Sequence, residues 1–290
     1  MYDQILIPTD GGDVADTAAE VAITLAGRFD ATLHVVHVSE LGELPPGTDD
    51  ADASPLASGA EAAVTEIAEA AADAGLEVAT AIVEAGSSVH GALLAYVERH
   101  DVDCLVMGTH GRSGVDRVVF GSVAERTVRE SPVPVLTVHA ETVLDPDFSS
   151  ILVPTDGSRC ARTAVDHAIE LADLTGATLH LLNVVNPAAI YGDVDTARIL
   201  DSLEAAGAGL LEDLEEVASD AGLSSVETTV TTGTPHRAIR AYADDHDIDC
   251  IAMGTHGRTG VQRYLLGSVT SRVIRLSDVP VLAIPGTRDD

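Results

Sequence analysis

The chain has 290 residues, with 47 acidic against 16 basic side chains and a formal net charge of −31. Every basic side chain is arginine, so a Walker A loop and Schiff-base chemistry, which need lysine, are excluded. Three cysteines make neither a disulfide framework nor a zinc site, and no apolar run reaches the roughly 20 residues of a bilayer span. The start, MYDQILIPTD, lacks the basic and apolar segments of a signal peptide, so a soluble, cytoplasmic protein is expected. Acid is spread along the whole chain. With lysine absent and the apolar side chains small, this favours adaptation to molar intracellular salt over a merely solvated acidic surface. Neither nucleic acid nor membrane is an expected partner.

In chain order, short β-branched runs alternate with alanine-rich helical stretches. Strands are predicted at Gln4–Pro8, Thr32–Val38, Glu77–Glu84, Cys104–Gly108 and Val133–Val138. Helices are predicted near Ala15–Arg28, Gly59–Ala74, Val89–His100 and Ser122–Glu130. An irregular insertion, LGELPPGTDDADASPLAS, follows the second strand. The series then repeats at an offset of 146 residues: ILIPTDG returns as ILVPTDG, ATLHVVHV as ATLHLLNV, and VPVLTV as VPVLAI. The second half carries its own irregular insertion, NPAAIYGDVDTARILD. The expected architecture is α/β, with two repeated five-stranded parallel-sheet α/β/α domains over residues 1–140 and 149–290, joined by a linker at 141–148.

The longest shared stretch is MGTHGRSGVDRVVFGSV, repeated as MGTHGRTGVQRYLLGSV. In each copy a glycine (Gly108, Gly254) closes a strand and a Gly-Ser pair (Gly121–Ser122, Gly267–Ser268) opens a helix. Several unpaired N–H groups and the positive end of a helix dipole then surround one point, an arrangement that suits phosphate. Glycine there would permit positive φ and let a ligand touch backbone. The competing reading is two tight turns and a serine N-cap. Near conservation of the loop between copies whose helix surfaces diverged favours phosphate. Arg112, Arg117, Arg126 and Arg129 in the first window, and Arg258, Arg263, Arg272 and Arg275 in the second, supply a local positive field.

The G-2x-G-9x-G-S pattern in both halves, the PTD strand ends and the PVPVL-type last strands resemble the universal stress protein family, in its tandem, ATP-binding form. The resemblance covers nearly the entire chain. It implies a Rossmann-like strand order 3-2-1-4-5 in each domain, with ATP at the carboxyl ends of strands 1 and 4. By position, Pro8, Thr9 and Asp10, with Pro154, Thr155 and Asp156, would meet ribose or base, and Val38 and Val184 would meet adenine through their backbone. Gly108, Gly111, Gly121 and Ser122 would hold ribose and phosphates, as would Gly254, Gly257, Gly267 and Ser268. Met107, Arg112, Val123, Met253, Arg258 and Val269 complete the expected set. The G-x-P segment common in the family is present as Gly233-Thr234-Pro235, whereas the first half reads Gly86-Ser87-Ser88-Val89.

The resemblance further implies ATP, with AMP or ADP as alternatives and Mg²⁺ on the phosphates. It also implies an intrachain pseudo-dimer through the last strands, and it leaves a homodimer open. The function expected is a nucleotide-binding stress or signalling protein that does not turn ATP over. A slow ATPase or nucleotidyl transferase is the alternative, and a structural module without nucleotide the second. No catalytic base can be assigned. His110 and His256 are expected to shape their loops, not to shuttle protons. The acidic turns HDVD and DDHDID read as solvated loops, with no metal site expected. Cys104 and Cys250 read as buried structural thiols, and Cys160 is expected to be exposed. Valine at Gly108 or Gly254 would be expected to end nucleotide binding in that half alone.

Overall fold

The computed structural model describes residues 1–40, 50–111, 120–142, 148–189, 196–257 and 266–286. The chain divides into two units, residues 1–146 and 147–290.

In the first unit β1 (Gln4–Pro8), β2 (Thr32–Ser39), β3 (Val78–Glu84), β4 (Cys104–Gly108) and β5 (Val135–Val138) alternate with α1 (Asp13–Phe29), α2 (Asp50–Asp73), α3 (Val89–Arg99) and α4 (Ser122–Glu130). The strands lie in the order β3-β2-β1-β4-β5, all parallel. In the second unit β6 (Ser150–Pro154), β7 (Thr178–Val185), β8 (Val226–Thr232), β9 (Cys250–Gly254) and β10 (Val281–Ile284) alternate with α5 (Arg159–Thr175), α6 (Thr196–Asp220), α7 (Pro235–Asp245) and α8 (Ser268–Leu276). Their order is β8-β7-β6-β9-β10, again parallel, so the arrangement of the first unit recurs.

The central strands are apolar throughout because helices cover both faces. Ile5, Leu6, Ile7, Leu33, Leu105 and Val106 are fully buried, as are Ile151, Leu152, Leu179, Leu181 and Ile251. Outer strand β3 instead alternates in burial, and Ile82 is exposed. The helices beside the central strands present small residues inward. On α1 these are Ala15, Ala18, Ala19, Ala22 and Ala26, spaced at three and four, which bring the helix axis close to the sheet.

Two sequence expectations are corrected. The insertions are partly helical: α2 begins at Asp50 and α6 at Thr196, after a 3-10 turn at Pro187–Ala189. Alanine-rich composition with acid in the leading turn of α2 favours the helix over a loop. The remainder of those insertions, 41–49 and 190–195, lies outside the described residues. The acidic turns before β4 and β9 are not merely solvated either. Asp103 Oδ2 accepts the N–H groups of Asp3 and Gln4 at 2.8 and 2.9 Å, and Asp249 Oδ2 accepts those of Ser150 N–H and Oγ–H at 2.9 and 3.0 Å. Each carboxylate fastens the start of its unit's first strand with charge-assisted bonds. Among the described residues no cluster of three or more His, Cys, Asp or Glu could hold a metal ion, and no helix is long and apolar enough to cross a membrane.

At the amino ends of the strands, both units bury a histidine against a tyrosine. The Tyr96 hydroxyl donates to His34 Nδ1 at 3.0 Å, and His34 Nε2–H donates to Gln4 Oε1 at 2.6 Å. Tyr96 stacks on His100 at 4.0 Å, as Tyr242 does on His246 at 3.8 Å below His180. Burial, then the neighbouring His100, holds His34 below the ordinary histidine range. His180 is lowered by burial and His246 against an opposing pull from Glu227. A histidine whose native pKa is depressed contributes fully above its unfolded value of about 6.5, and the contribution is lost as pH falls through the native value. The protein is therefore expected to lose stability from pH 7.5 toward pH 5, and His34→Gln should flatten that slope. Urea unfolding at both pH values measures it. Equal slopes in the two proteins would show that His34 does not carry the dependence.

Candidate functional site

In the first unit the carboxyl ends of β1, β2 and β4 and the start of α4 enclose a cavity of about 600 Å³. Pro8, Thr9 and Asp10 line it from β1, Val38 from β2, Met107, Gly108 and Gly111 from β4 and its loop, and Gly121, Ser122 and Val123 from α4. Ala60 of α2 and Val89 and Leu93 of α3 add apolar wall. The cavity sits where a parallel sheet splays at its switch in strand order, between β1 and β4. One side is aliphatic, and the other combines backbone and hydroxyl groups with Asp10, His37, Glu40 and His110, a division that suits an elongated ligand with an apolar and a polar end.

The loop glycines do not supply the positive φ expected of them. None of Gly108, Gly111, Gly121, Gly254, Gly257 and Gly267 has positive φ. They are sites of close approach instead. A Cβ on Gly108 would fall 2.7 Å from Val14 Cγ1, and one on Gly254 would fall 2.8 Å from the Cys160 carbonyl. On Gly121 and Gly267 it would meet the carbonyl of Thr109 or Thr255 at 3.0 and 3.1 Å. On Gly111 and Gly257 it would meet Asp10 Oδ2 or Asp156 Oδ2 at 2.7 and 2.9 Å. The other oxygen of each aspartate accepts a backbone N–H two residues on, from Gly12 and Ser158. Each carboxylate thus packs against a glycine of the loop while it bonds the turn that follows its own strand.

The serine N-cap reading is corrected as well. Gly121 and Gly267 are the N-caps, and no side-chain cap bond is made to either helix. Ser122 and Ser268 are the first helical residues and are exposed. The leading N–H groups of α4, at Ser122, Val123 and Ala124, therefore have no capping side chain where these residues line the cavity. Thr109 Oγ lies 2.9 Å from Nδ1 of both His110 and His139, and Thr255 Oγ lies 2.9 Å from His256 Nδ1. Both loop histidines are thus held by the preceding threonine, and burial lowers the pKa of His256.

His37 was not singled out by sequence. Its Nδ1–H donates to the Thr9 carbonyl at 2.9 Å, and it lines the cavity. Asn183 takes its place in the second unit, where Nδ2 donates to the Thr155 carbonyl at 2.8 Å. Because the residue type changes between copies, only the shared hydrogen bond reveals the equivalence.

In the second unit Pro154, Thr155, Asp156, Val184, Met253, Gly254, Gly257, Gly267, Ser268 and Val269 occupy the matching strand and helix ends. The surroundings differ. Cys160, expected exposed, is 8% exposed, because α5 presses it against Gly254 with Sγ 3.7 Å from the Ile284 carbonyl. Cys104 and Cys250 are fully buried, and burial pushes the Cys250 thiol up to about 12. Acid surrounds the start of α1, where burial and then Glu66, Asp13 and Asp10 raise the Asp16 pKa. Arg159 and Arg162 stand at the positions of Asp13 and Asp16 in α5. Ser88 caps α3 by accepting the Gly91 N–H, whereas Pro235 begins α7 without such a bond. Arg112, Arg117, Arg258 and Arg263 lie outside the described residues, and Arg126 and Arg129 do not line the cavity.

These features define a tandem α/β protein with a glycine-loop pocket at the carboxyl end of a parallel sheet. The chain belongs to the universal stress protein family, whose sequence profile matches residues 1–139 and 147–285. It is 34% identical over 140 residues to a universal stress protein of Methanocaldococcus jannaschii, a match covering 47% of this chain and 82% of the relative. A putative universal stress protein of Staphylococcus saprophyticus is 33% identical over 139 residues, covering 47% and 83%. A crystal structure of a universal stress protein from Archaeoglobus fulgidus is similar over the whole chain, with a TM-score of 0.75, 26% identity, and 99% and 98% of the two chains covered.

Proposed function

We propose that both units bind adenine nucleotide, ATP in the first instance, and that the protein works as a nucleotide-responsive stress or signalling protein without consuming its ligand. The observation that carries this reading is the uncapped start of α4 facing a cavity of about 600 Å³. Unsatisfied N–H groups at a helix N-terminus favour a phosphate, and the aliphatic wall of Val38, Val89 and Leu93 accepts a base. Mg²⁺ would ride on the phosphates and keep its waters, since no cluster of protein carboxylates among the described residues could hold it. The lining hydroxyl that pairs with a histidine, Thr109 Oγ with His110 Nδ1, is only 1% exposed and so badly placed to attack a ligand, which favours binding over turnover. The acid-rich, lysine-free composition fits a protein at work in concentrated salt.

Equilibrium titration with labelled ATP in molar potassium chloride, followed by a turnover assay on the same sample, tests the proposal. Saturable binding with negligible hydrolysis is expected. Absence of binding, or turnover at enzyme-like rates of about 1 per second or more, would overturn it.

The two sites should differ in strength. The first-turn acid of α1 is replaced by arginine in α5, and Glu125 of α4 becomes Ser271 in α8. The second unit is expected to bind ATP about tenfold more tightly, or roughly 1.4 kcal/mol, a gap that narrows with salt. Calorimetry on Val38→Trp and Val184→Trp, which block one candidate site at a time, ranks the sites. A tighter first unit would show that charge around the helix starts does not set the order.

A further inference from the structure

The arginines of the α3–α4 face and of the matching α7–α8 face have different surroundings in the two units. In the first, the face of α3 and α4 is charge-paired: Glu130 lies 3.5 Å from His90 Nε2 and accepts from Arg129. The Arg129 hydrogen bond is the largest influence holding the Glu130 carboxyl below its ordinary range, with His90 and Arg126 adding to it. In the second unit the same helix pair has lost that acid and gained base. Leu276 replaces Glu130, Ser271 replaces Glu125, Arg237 replaces Gly91 and Arg240 replaces Leu94. His236, the counterpart of His90, now faces Arg272, Arg237 and Arg240, and these charges add to burial in lowering its pKa.

Arg237 and Arg272 are exposed, and among the described residues neither makes an ion pair. Of these three arginines, Arg240 is the one tied to acid among the described residues, reaching Asp278 at 3.3 Å. In a chain of net charge −31, unpaired guanidiniums gathered around a histidine run against the general composition. The first turns of both helices beneath them are free of acid, so helix dipoles add to the positive field.

From this contrast we infer that the α7–α8 face of the second unit is a second anion site, separate from the glycine-loop pocket, built from His236, Arg237, Arg240 and Arg272 for a short, multiply charged phosphate chain. Guanidinium forks on two adjacent helices match phosphate oxygens bidentately. The rest of the protein selects for a small ligand. A large polyanion would meet the acidic surface over its whole length. A compact one needs only the guanidiniums it touches, because the Debye length is about 3 Å in molar salt.

Titration of the full chain with inorganic tripolyphosphate, in the presence of saturating AMP, tests the inference. Binding is expected in the wild type and should be unaffected by AMP. The double variant Arg237→Gln/Arg272→Gln should lower its affinity at least tenfold, and Leu276→Glu, which restores the acid of the first unit, several-fold. Nucleotide affinity should be unchanged in both variants. All three positions are partly or fully exposed, so the fold is not at risk, and circular dichroism verifies it. No tripolyphosphate binding in the wild type, binding displaced by AMP and indifferent to the double variant, or tighter Arg237-dependent binding of poly-glutamate would each overturn the inference. If the chain bound no nucleotide at all, the pocket reading would fail and this one would still stand or fall on the arginine variants.

Discussion

Replacing Gly254 with alanine should cost the second unit about 3 kcal/mol, whereas the same replacement at Gly257, three residues on, should cost less than about 1 kcal/mol. The difference lies in what each new methyl meets. At Gly254 it would fall 2.8 Å from both the carbonyl carbon and oxygen of Cys160, in the first turn of α5. Backbone cannot rotate away, so the helix must lift from β9 and disturb the buried Ala161, Ala164 and Val165. At Gly257 the obstacle is Asp156 Oδ2, the far end of a short side chain that can turn aside. Urea unfolding followed by circular dichroism, compared with the wild type, measures both. The reverse order would show that the first glycine is not held by packing. The same geometry alters the meaning of a valine at Gly108 or Gly254. Such a variant fails first because its own chain occupies the space, so it reports on folding before ligand binding.

A second large effect is expected when the first cavity is filled without touching the core. Val38 is half-buried and lines the cavity at the end of β2. Val38→Trp should place an indole in the space assigned to the base and weaken ATP binding by that unit about a hundredfold, or roughly 2.7 kcal/mol. Stability should change by less than about 1 kcal/mol, because the added ring enters a void instead of packed interior. Val184→Trp is the matching test in the second unit, and in each variant the untouched unit should retain its affinity. Undiminished binding to a stably folded Val38→Trp/Val184→Trp double variant would place the nucleotide somewhere other than these strand ends.

The repeat, the alternation of strand and helix and the position of the glycine loops were legible in the sequence. Each rests on local pattern: apolar runs for buried parallel strands, alanine periodicity for covering helices, and a motif copied at an offset of 146. Strands such as Gln4–Pro8 and Cys104–Gly108 could be bounded to the residue because turn-forming or polar neighbours delimit them. The helical start of α2 was not legible, because the acidic and small residues of DDADAS suit a loop as well as a helix start.

What only the tertiary structure decided concerns pairs of residues far apart in the chain. Glycine at 108 and 254 is explained by Val14 and Cys160, and at 111 and 257 by the carboxylates of Asp10 and Asp156. Asp103 and Asp249 looked like solvated acid until they were seen to hold the N–H groups that begin β1 and β6. His37 and Asn183 share a role that their side-chain types conceal. Sequence therefore determined the elements and the placement of the glycine loops, since these follow from periodicity and local backbone chemistry. Close approach and hydrogen bonding across the sheet depend on which elements become neighbours, and that is set only when the strands take their order.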